Sequence, residues 1–338
     1  PKILIIRFSS IGDIVLTTPV IRCLKQQLNA EVHFLTKSSF TSLLINNPYV
    51  DVVYQIDKSV NEVSSDLKNE KYDLVVDLHS NLRSAKLRNI GKKYVKYNKD
   101  TFKKFLFVQF SVDRLKSKHT VERYFDTVEK IGVKNDNEGL DFFLSKKDEI
   151  DLTEFPKSYI TFAIGGTHFT KKLPTEKIIS ICKKRNETTV LIGGPEDFET
   201  GKIIENNCDN VINTCGKYNI NESAFIVNNS DLLITHDTGM MHIAAAFKKN
   251  IISFIEKNVN EIYCENEMLK SMCTNSLLRM MEDEELTSFK KLTKAKEEVI
   301  LNNVIQTYCM NSMLEDMCMY STILMMYEEE VRASGKKL

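Results

Sequence analysis

Two short segments of this chain bring together residue types that can do chemistry. The first is Asp237-Thr238-Gly239-Met240-Met241-His242, which follows the apolar run Leu232-Leu233-Ile234 and leads into Ile243-Ala244-Ala245-Ala246-Phe247. A strand that ends in Asp-Thr-Gly and turns directly into a helix is an anion-binding arrangement. The first N–H groups of a helix lack intrahelical partners, and Gly239 lets a ligand approach the backbone closely. The second segment is Gly12-Asp13, between the first apolar run and the first helical one. A carboxylate in such a loop can serve as a general base; the alternative is a helix N-cap. Lys171 and Lys172 follow the loop Gly165-Gly166-Thr167-His168. A lysine beside a backbone nest can neutralise a diphosphate, and a solvated surface lysine is the alternative. Glu196, after Gly193-Gly194, suits hydrogen bonds from ribose hydroxyls or, again, a cap. His242 lies one helical turn past the Asp-Thr-Gly and reads either as a packed histidine or as part of the site. His236 reads as structural or exposed.

These loops need strands to hold them. Ile3-Leu4-Ile5-Ile6 is a continuous apolar run, as expected of a parallel strand covered on both faces. Ile14 to Leu28 has helical spacing, Glu31 to Leu35 reads as a second strand, and a helix is expected to end near Asn47-Pro48. Val52-Val53-Tyr54 and Leu74-Val75-Val76-Asp77 complete a first set of strands. After Pro156 the pattern restarts with Tyr159 to Ile164, then Thr189 to Ile192, Val211 to Asn213 and Leu232 to Ile234, with Pro174 opening a helix. Strands alternating with helical segments predict an α/β chain with doubly wound parallel sheets. Ligands of such sheets bind beyond the carboxyl ends of the strands, where Ser9 to Asp13 and Asp77 to Asn81 fall. We expect an amino-terminal domain over 1–150, a second over 151–252, a cleft between them, and a tail over 253–338.

Composition narrows the remaining classes. The 338 residues carry 46 basic and 46 acidic side chains, so global charge selects no partner. No Cys-x-x-Cys pair occurs among the eight cysteines, which argues against zinc and for reduced thiols in a cytosolic protein. There is no signal-peptide pattern and no run of 18 apolar residues, so a soluble or peripheral protein is expected. The absence of Gly-x-Gly-x-x-Gly after any strand disfavours a nicotinamide-dependent oxidoreductase. From Arg83 to Lys118 there are twelve basic residues against Asp100 and Asp113, interleaved with Phe102, Phe105, Leu106, Phe107 and Phe110. That pattern suits a phosphorylated lipid and an anionic membrane face; the alternative is a solvated helix pair with one apolar face in the core. No nucleic-acid motif accompanies the charge. The tail holds ten of the twelve methionines and no proline, which predicts helices with methionine as core filler.

The order of these segments resembles glycosyltransferase family nine, the ADP-heptose:lipopolysaccharide heptosyltransferases. Arg7-Phe8-Ser9-Ser10-Ile11-Gly12-Asp13 with Pro19 is similar to its amino-terminal motif, and Asp77 to Ala85 to its second. Thr170-Lys171-Lys172-Leu173-Pro174 resembles its diphosphate-binding segment, and His236 to Ala246 is the nearest match. The resemblance covers about residues 1–252. It implies two Rossmann-like domains in a GT-B arrangement, the first binding acceptor and the second a nucleotide sugar, the ADP-linked one of the family's own reaction. Asp13 would then be the base of an inverting transfer to a lipopolysaccharide-core-type acceptor. Thr167, Lys171, Glu196, Asp237, Thr238, Gly239 and His242 would bind the donor, and Ser10, Gly12 and Arg83 the acceptor. Neither a cofactor nor a metal is expected, because lysine and helix N–H groups would carry the diphosphate charge. Implied partners are the nucleotide sugar and an anionic glycolipid, with a cytoplasmic location and peripheral contact with the inner membrane face through residues 83–118. Beyond Ile251-Ile252-Ser253 the chain departs from the family, with Phe254-Ile255-Glu256-Lys257-Asn258 where a glycine-containing loop is usual. A second reading is therefore a non-catalytic binding protein that kept the fold and lost the donor loop.

Overall fold

The computed structural model describes residues 1–98, 118–166, 173–236 and 238–253. The apolar runs become strands of two parallel five-stranded sheets. The first contains β1 (Lys2–Ile6), β2 (Glu31–Lys37), β3 (Val52–Ile56), β4 (Tyr72–Asp77) and β5 (Gly91–Lys96), in the order β3-β2-β1-β4-β5. The second contains β6 (Ile160–Ala163), β7 (Thr189–Ile192), β8 (Val211–Asn213), β9 (Leu232–Thr235) and β10 (Asn250–Ser253), in the order β10-β9-β6-β7-β8. Both have the same winding: the first strand sits centrally, the next two run out on one side and the last two on the other. Parallel pairing demands crossovers that cover the sheet. Here α1 (Ile11–Val15), α2 (Thr18–Leu28), α3 (Ser64–Asn69) and α4 (Thr120–Val128) accompany the first sheet. The second has α5 (Thr175–Lys183), α6 (Phe198–Asn206), α7 (Ile220–Asn229) and α8 (Gly239–Ala246).

One apolar cluster runs through the centre, from Ile3, Ile5 and Val76 through Ile14 and Leu16 to Met240, Ile243, Val190 and Leu233. Separate clusters cover the opposite faces, one around Leu4, Ile6 and Val75 and the other around Ile160, Phe162 and Leu191. The two sheets thus share a continuous core. Asn221 at the start of α7 adds polar ties, donating to Ser42 O at 3.1 Å and Asp148 Oδ1 at 3.3 Å. Arg22 on α2 is buried and clamps the connecting segment. Its Nε and Nη2 donate to Asp136 at 2.8 Å each, Nη2 also reaches Gly139 O at 3.0 Å, and Nη1 pairs with Asp141. The Arg22 hydrogen bonds hold the Asp136 carboxyl well below the usual range, whereas burial leaves Asp141 raised despite the same guanidinium. Cys23, Cys182, Cys208 and Cys215 are buried free thiols, and burial pushes Cys23 up to about 11.

Several elements differ from the sequence reading. The helix expected over Ile14 to Leu28 is two helices. Pro19 in the first turn of α2 has no N–H to continue the ladder, and the Thr17 and Thr18 hydroxyls satisfy Ile14 O and Val15 O at 2.6 and 2.7 Å. The helix expected before Asn47-Pro48 is the 3-10 helix Ser38–Leu43. The described part of the basic segment is not a helix pair: it holds the short 3-10 helix Ser84–Leu87 and the edge strand β5. Ser253, expected to begin the tail, ends β10, paired with Thr235. Residues 99–117 of the basic segment and the helical tail expected beyond Ser253 lie outside the described residues. Among the described residues no helix is long and apolar enough to cross a membrane.

Candidate active site

In each sheet the strand order changes direction beside the first strand, between β1 and β4 and between β6 and β9. Loops leaving such strands diverge to opposite faces and open a crevice at the carboxyl edge. The loop after β1 leads into α1 and the loop after β9 into α8, and these two helix starts touch. A Cβ on Gly239 would lie 2.5 Å from Ile11 Cγ2 and 3.3 Å from the Gly12 nitrogen. A Cβ on Gly12 would lie 2.5 Å from Cδ2 and 3.1 Å from Nε2 of His242. Gly12, Gly239 and His242 are thus brought together, and both glycines are there because no side chain fits. Thr238 is the N-cap of α8, its Oγ1 3.1 Å from Thr235 Oγ1. The amino terminus of α8 therefore lies against the start of α1.

Asp13 lies in the first turn of α1 and is not its N-cap, which is Ser10. Its carboxylate closes a capping box with that residue. Ser10 N–H and Oγ donate to Asp13 Oδ2 at 3.1 and 2.9 Å, and Arg7 Nη2 pairs with the same oxygen at 2.6 Å. Among the described residues no donor reaches Oδ1. The Asp13 side chain is 35% exposed and that of Arg7 10%. Burial pushes the Asp13 carboxyl up, but the Arg7 charge and the Ser10 bonds outweigh it, so the group titrates below the ordinary aspartate value. At neutral pH it is an anion with Oδ2 held by three donors and, among the described residues, none on Oδ1.

Arg7 was not singled out in sequence as a site residue. The signal was present: a basic residue ending a buried apolar strand must find partners. Its Nε donates to Ser9 O and its Nη1 to Leu78 O, both at 2.8 Å, and the guanidinium lies 5.9 Å from the centroid of the buried Tyr124 ring. Leu78 begins the loop after β4, which is organised by Asp77. That carboxylate is fully buried and accepts from His79 N–H, Ser80 N–H, Ser84 Oγ and Tyr94 Oη at 2.6 to 3.0 Å. The same loop carries Arg83, which is exposed; its N–H donates to Asn81 Oδ1 at 2.9 Å, and no side-chain contact ties it to Asp13. Ser10, also expected on the acceptor side, is exposed and engaged with Asp13.

On the second sheet, Glu196 is exposed in the 3-10 turn Pro195–Asp197, folded back against the Gly194 Cα. The cap role falls to its neighbour. Asp197 is 2% exposed, accepts the Gly194 N–H at 3.0 Å, and fills the space beside Gly165 and Gly193. Sequence reading named Glu196 and missed Asp197, because adjacent acids in a tight turn face opposite ways. His236 is buried, and its Nε2 accepts the Leu173 N–H at 2.7 Å, which makes it a structural tie between β9 and the approach to α5. Thr167, Lys171 and Asp237 lie outside the described residues. A cavity of about 580 Å³ adjoins His242, walled by Leu16, Pro19, Val121, Leu140, Met241 and Ile251 among others. Neither Asp13 nor Thr238 lines it, so it borders the crevice without containing the base. Among the described residues one group could offer three metal ligands, Glu31, His33 and Glu70. It sits where β1 and β2 begin, at the opposite sheet edge, and Lys2 Nζ already bridges its carboxylates at 3.2 and 2.6 Å.

Two Rossmann-like sheets joined in this way define a GT-B-type α/β protein, with its crevice between the carboxyl edges. Residues 60–258 match the family profile of glycosyltransferase family 9 (heptosyltransferase). The chain belongs to that family. It is 24% identical over 290 residues to lipopolysaccharide heptosyltransferase 1 of Campylobacter coli, spanning 75% of this chain and 83% of that one. The crystal structure of a family 9 glycosyl transferase from Veillonella parvula is similar in fold (TM-score 0.63, 24% identity, 75% of this chain and 79% of that one). So is the E. coli heptosyltransferase WaaC with ADP (TM-score 0.60, 19% identity, 75% and 86%).

Proposed function

We propose that the chain is an inverting glycosyltransferase that moves heptose, or a related sugar, from a nucleotide donor to a lipopolysaccharide-core-type acceptor. The observation that carries this reading is the contact between the two helix starts: the first turn of α1, which holds Asp13, lies directly against Gly239 and His242. A base and an anion-binding turn on facing sheets are what a displacement at a sugar–diphosphate bond requires. The acceptor hydroxyl attacks the anomeric carbon, the carbon–oxygen bond to the diphosphate breaks on the opposite face, and the hydroxyl proton passes to Asp13. The configuration at that carbon inverts. Because Asp13 is a weak base, proton transfer accompanies bond formation, when the hydroxyl has become acidic.

In this reading Thr238 and Gly239 meet the leaving diphosphate through the α8 N-terminus, with Asp237, Thr167 and Lys171 completing the charge complement. Glu196 reaches the nucleoside and His242 braces the sugar-bearing end. Lysine and helix N–H groups do the electrostatic work, so the reaction is metal-independent. The relatives that bear on the donor are those whose structures contain ADP and ADP-2-deoxy-2-fluoro heptose; on that basis the donor is ADP-linked. Ser10, Gly12 and Arg83 face the acceptor, an anionic glycolipid approached from the cytoplasmic side of a membrane through residues 83–118. The domain roles follow, 1–150 for acceptor and 151–252 for donor. Isothermal titration with ADP tests the donor side. Saturable one-to-one binding supports the reading, and a folded protein that binds no ADP overturns it. Binding without any turnover would favour the non-catalytic alternative.

A further inference from the structure

We propose that Arg7 is the positioning residue of the base, fastening Asp13 by one oxygen so that the other faces the acceptor hydroxyl. The inference rests on the reading of Asp13 as base and assigns a role to a residue outside the expected site.

The geometry is specific to a guanidinium. Arg7 follows β1 directly and is 8% exposed. Its three nitrogens serve three different points: Nε the Ser9 carbonyl, Nη1 the Leu78 carbonyl, Nη2 the Asp13 carboxylate. Ser9 belongs to the loop carrying the base, and Leu78 to the loop carrying Arg83. One rigid planar fork therefore sets the base loop and the acceptor loop at a fixed separation, and the Tyr124 ring shields it. An ammonium group is a single point and cannot span all three.

The second observation is where the bonds fall on Asp13. Arg7 and both Ser10 donors converge on Oδ2, and among the described residues none reaches Oδ1. Hydrogen bonds to Oδ2 leave Oδ1 as the site for an incoming proton. Once Oδ1 is protonated, Oδ2 is a carbonyl oxygen that still accepts from the same three donors. The carboxyl thus keeps its place before and after proton transfer, and the proton is delivered on the open side. The attraction of Arg7 for the anion also opposes the upward push of burial, so Asp13 stays ionised well into the acid range.

The test uses Arg7→Met and Arg7→Lys in the full chain, alongside Asp13→Ala. It reads kcat and KM for ADP-heptose at pH 7.5 and pH 5, with a carbon-13 carboxyl titration of Asp13 assigned by its loss in the alanine variant. We expect Arg7→Met to lower kcat about 10- to 100-fold, as loss of positioning by an ångström does, with donor KM within about twofold. Asp13 should titrate about one unit or more higher, because burial is no longer opposed, and the ratio of activity at pH 5 to pH 7.5 should fall relative to wild type. Arg7→Lys should keep much of the titration shift, since a cation remains, yet lose kcat, since Ser9 and Leu78 are no longer held. Unchanged kcat and an unchanged Asp13 titration in Arg7→Met overturn the inference. If Arg7→Met does not fold, Arg7→Lys decides alone: wild-type kcat overturns it. Retained turnover in Asp13→Ala instead overturns the base reading, so the two failures are distinguishable.

Discussion

Gly12 is where the two sheets press together, and a single methyl group there reports on the contact. In Gly12→Ala the new Cβ would stand 2.5 Å from Cδ2 and 3.1 Å from Nε2 of His242. Carbon atoms rest at about 3.5–4.0 Å, so the ring must retreat by about 1 Å. Forced overpacking of this kind costs about 1–3 kcal/mol. His242 is only partly buried, so the ring can swing and the lower half of that range, about 1–2 kcal/mol, is expected. The assay is a double-mutant cycle by urea denaturation, with Gly12→Ala measured in the wild-type and His242→Ala backgrounds. With the ring gone, no other heavy atom lies nearer than 3.6 Å to the methyl, and its cost should drop below about 0.5 kcal/mol, a coupling of about 1 kcal/mol. Transfer should fall about 100-fold in Gly12→Ala, because the displaced ring and loop no longer hold base and donor in register. A neutral Gly12→Ala, or one equally costly with and without His242, would refute the contact on which the site is built.

Other consequences are independent of catalysis. Asp136→Asn leaves Arg22 buried with one ionic partner and should cost about 3 kcal/mol at pH 7. The folded Asp136 titrates below its unfolded value, so its contribution is present above about pH 3.9 and fades as pH falls through the folded value; the gap between the urea midpoints of variant and wild type should stay constant from pH 7 to about pH 4 and narrow only below it. Asp77→Ala strips four donors of a fully buried acceptor and should cost about 3 kcal/mol. Amide exchange at residues 79–84 should accelerate more than exchange in β1, which keeps its ladder.

What was legible in the sequence, and what was not, follows from burial. The central strands β1, β4, β6 and β9 are covered on both faces and read as largely apolar runs. The edge strand β5, Gly91–Lys96, is exposed at Lys92, Lys93 and Lys96, so its lysines disguised it as part of a basic surface segment. The other missed edge, β10, has Ile252 43% exposed and lies against the composition break of the tail. At the site, Asp13, Gly239 and His242 were visible because a strand–loop–helix junction places them at a sheet's carboxyl edge whatever the rest of the chain does. Arg7 and Asp197 were not, because their roles depend on partners distant in sequence: Leu78 for one, Gly165 for the other.

The most direct test of the proposed reaction is a transfer assay with purified full-length protein, ADP-heptose and a heptose-free lipopolysaccharide core acceptor. The readouts are ADP release and the mass of the acceptor. The account predicts acceptor-dependent release of one ADP per heptose added, with turnover abolished in Asp13→Ala while ADP affinity stays within about twofold. Release of ADP without an acceptor product, or undiminished transfer by Asp13→Ala, would contradict it.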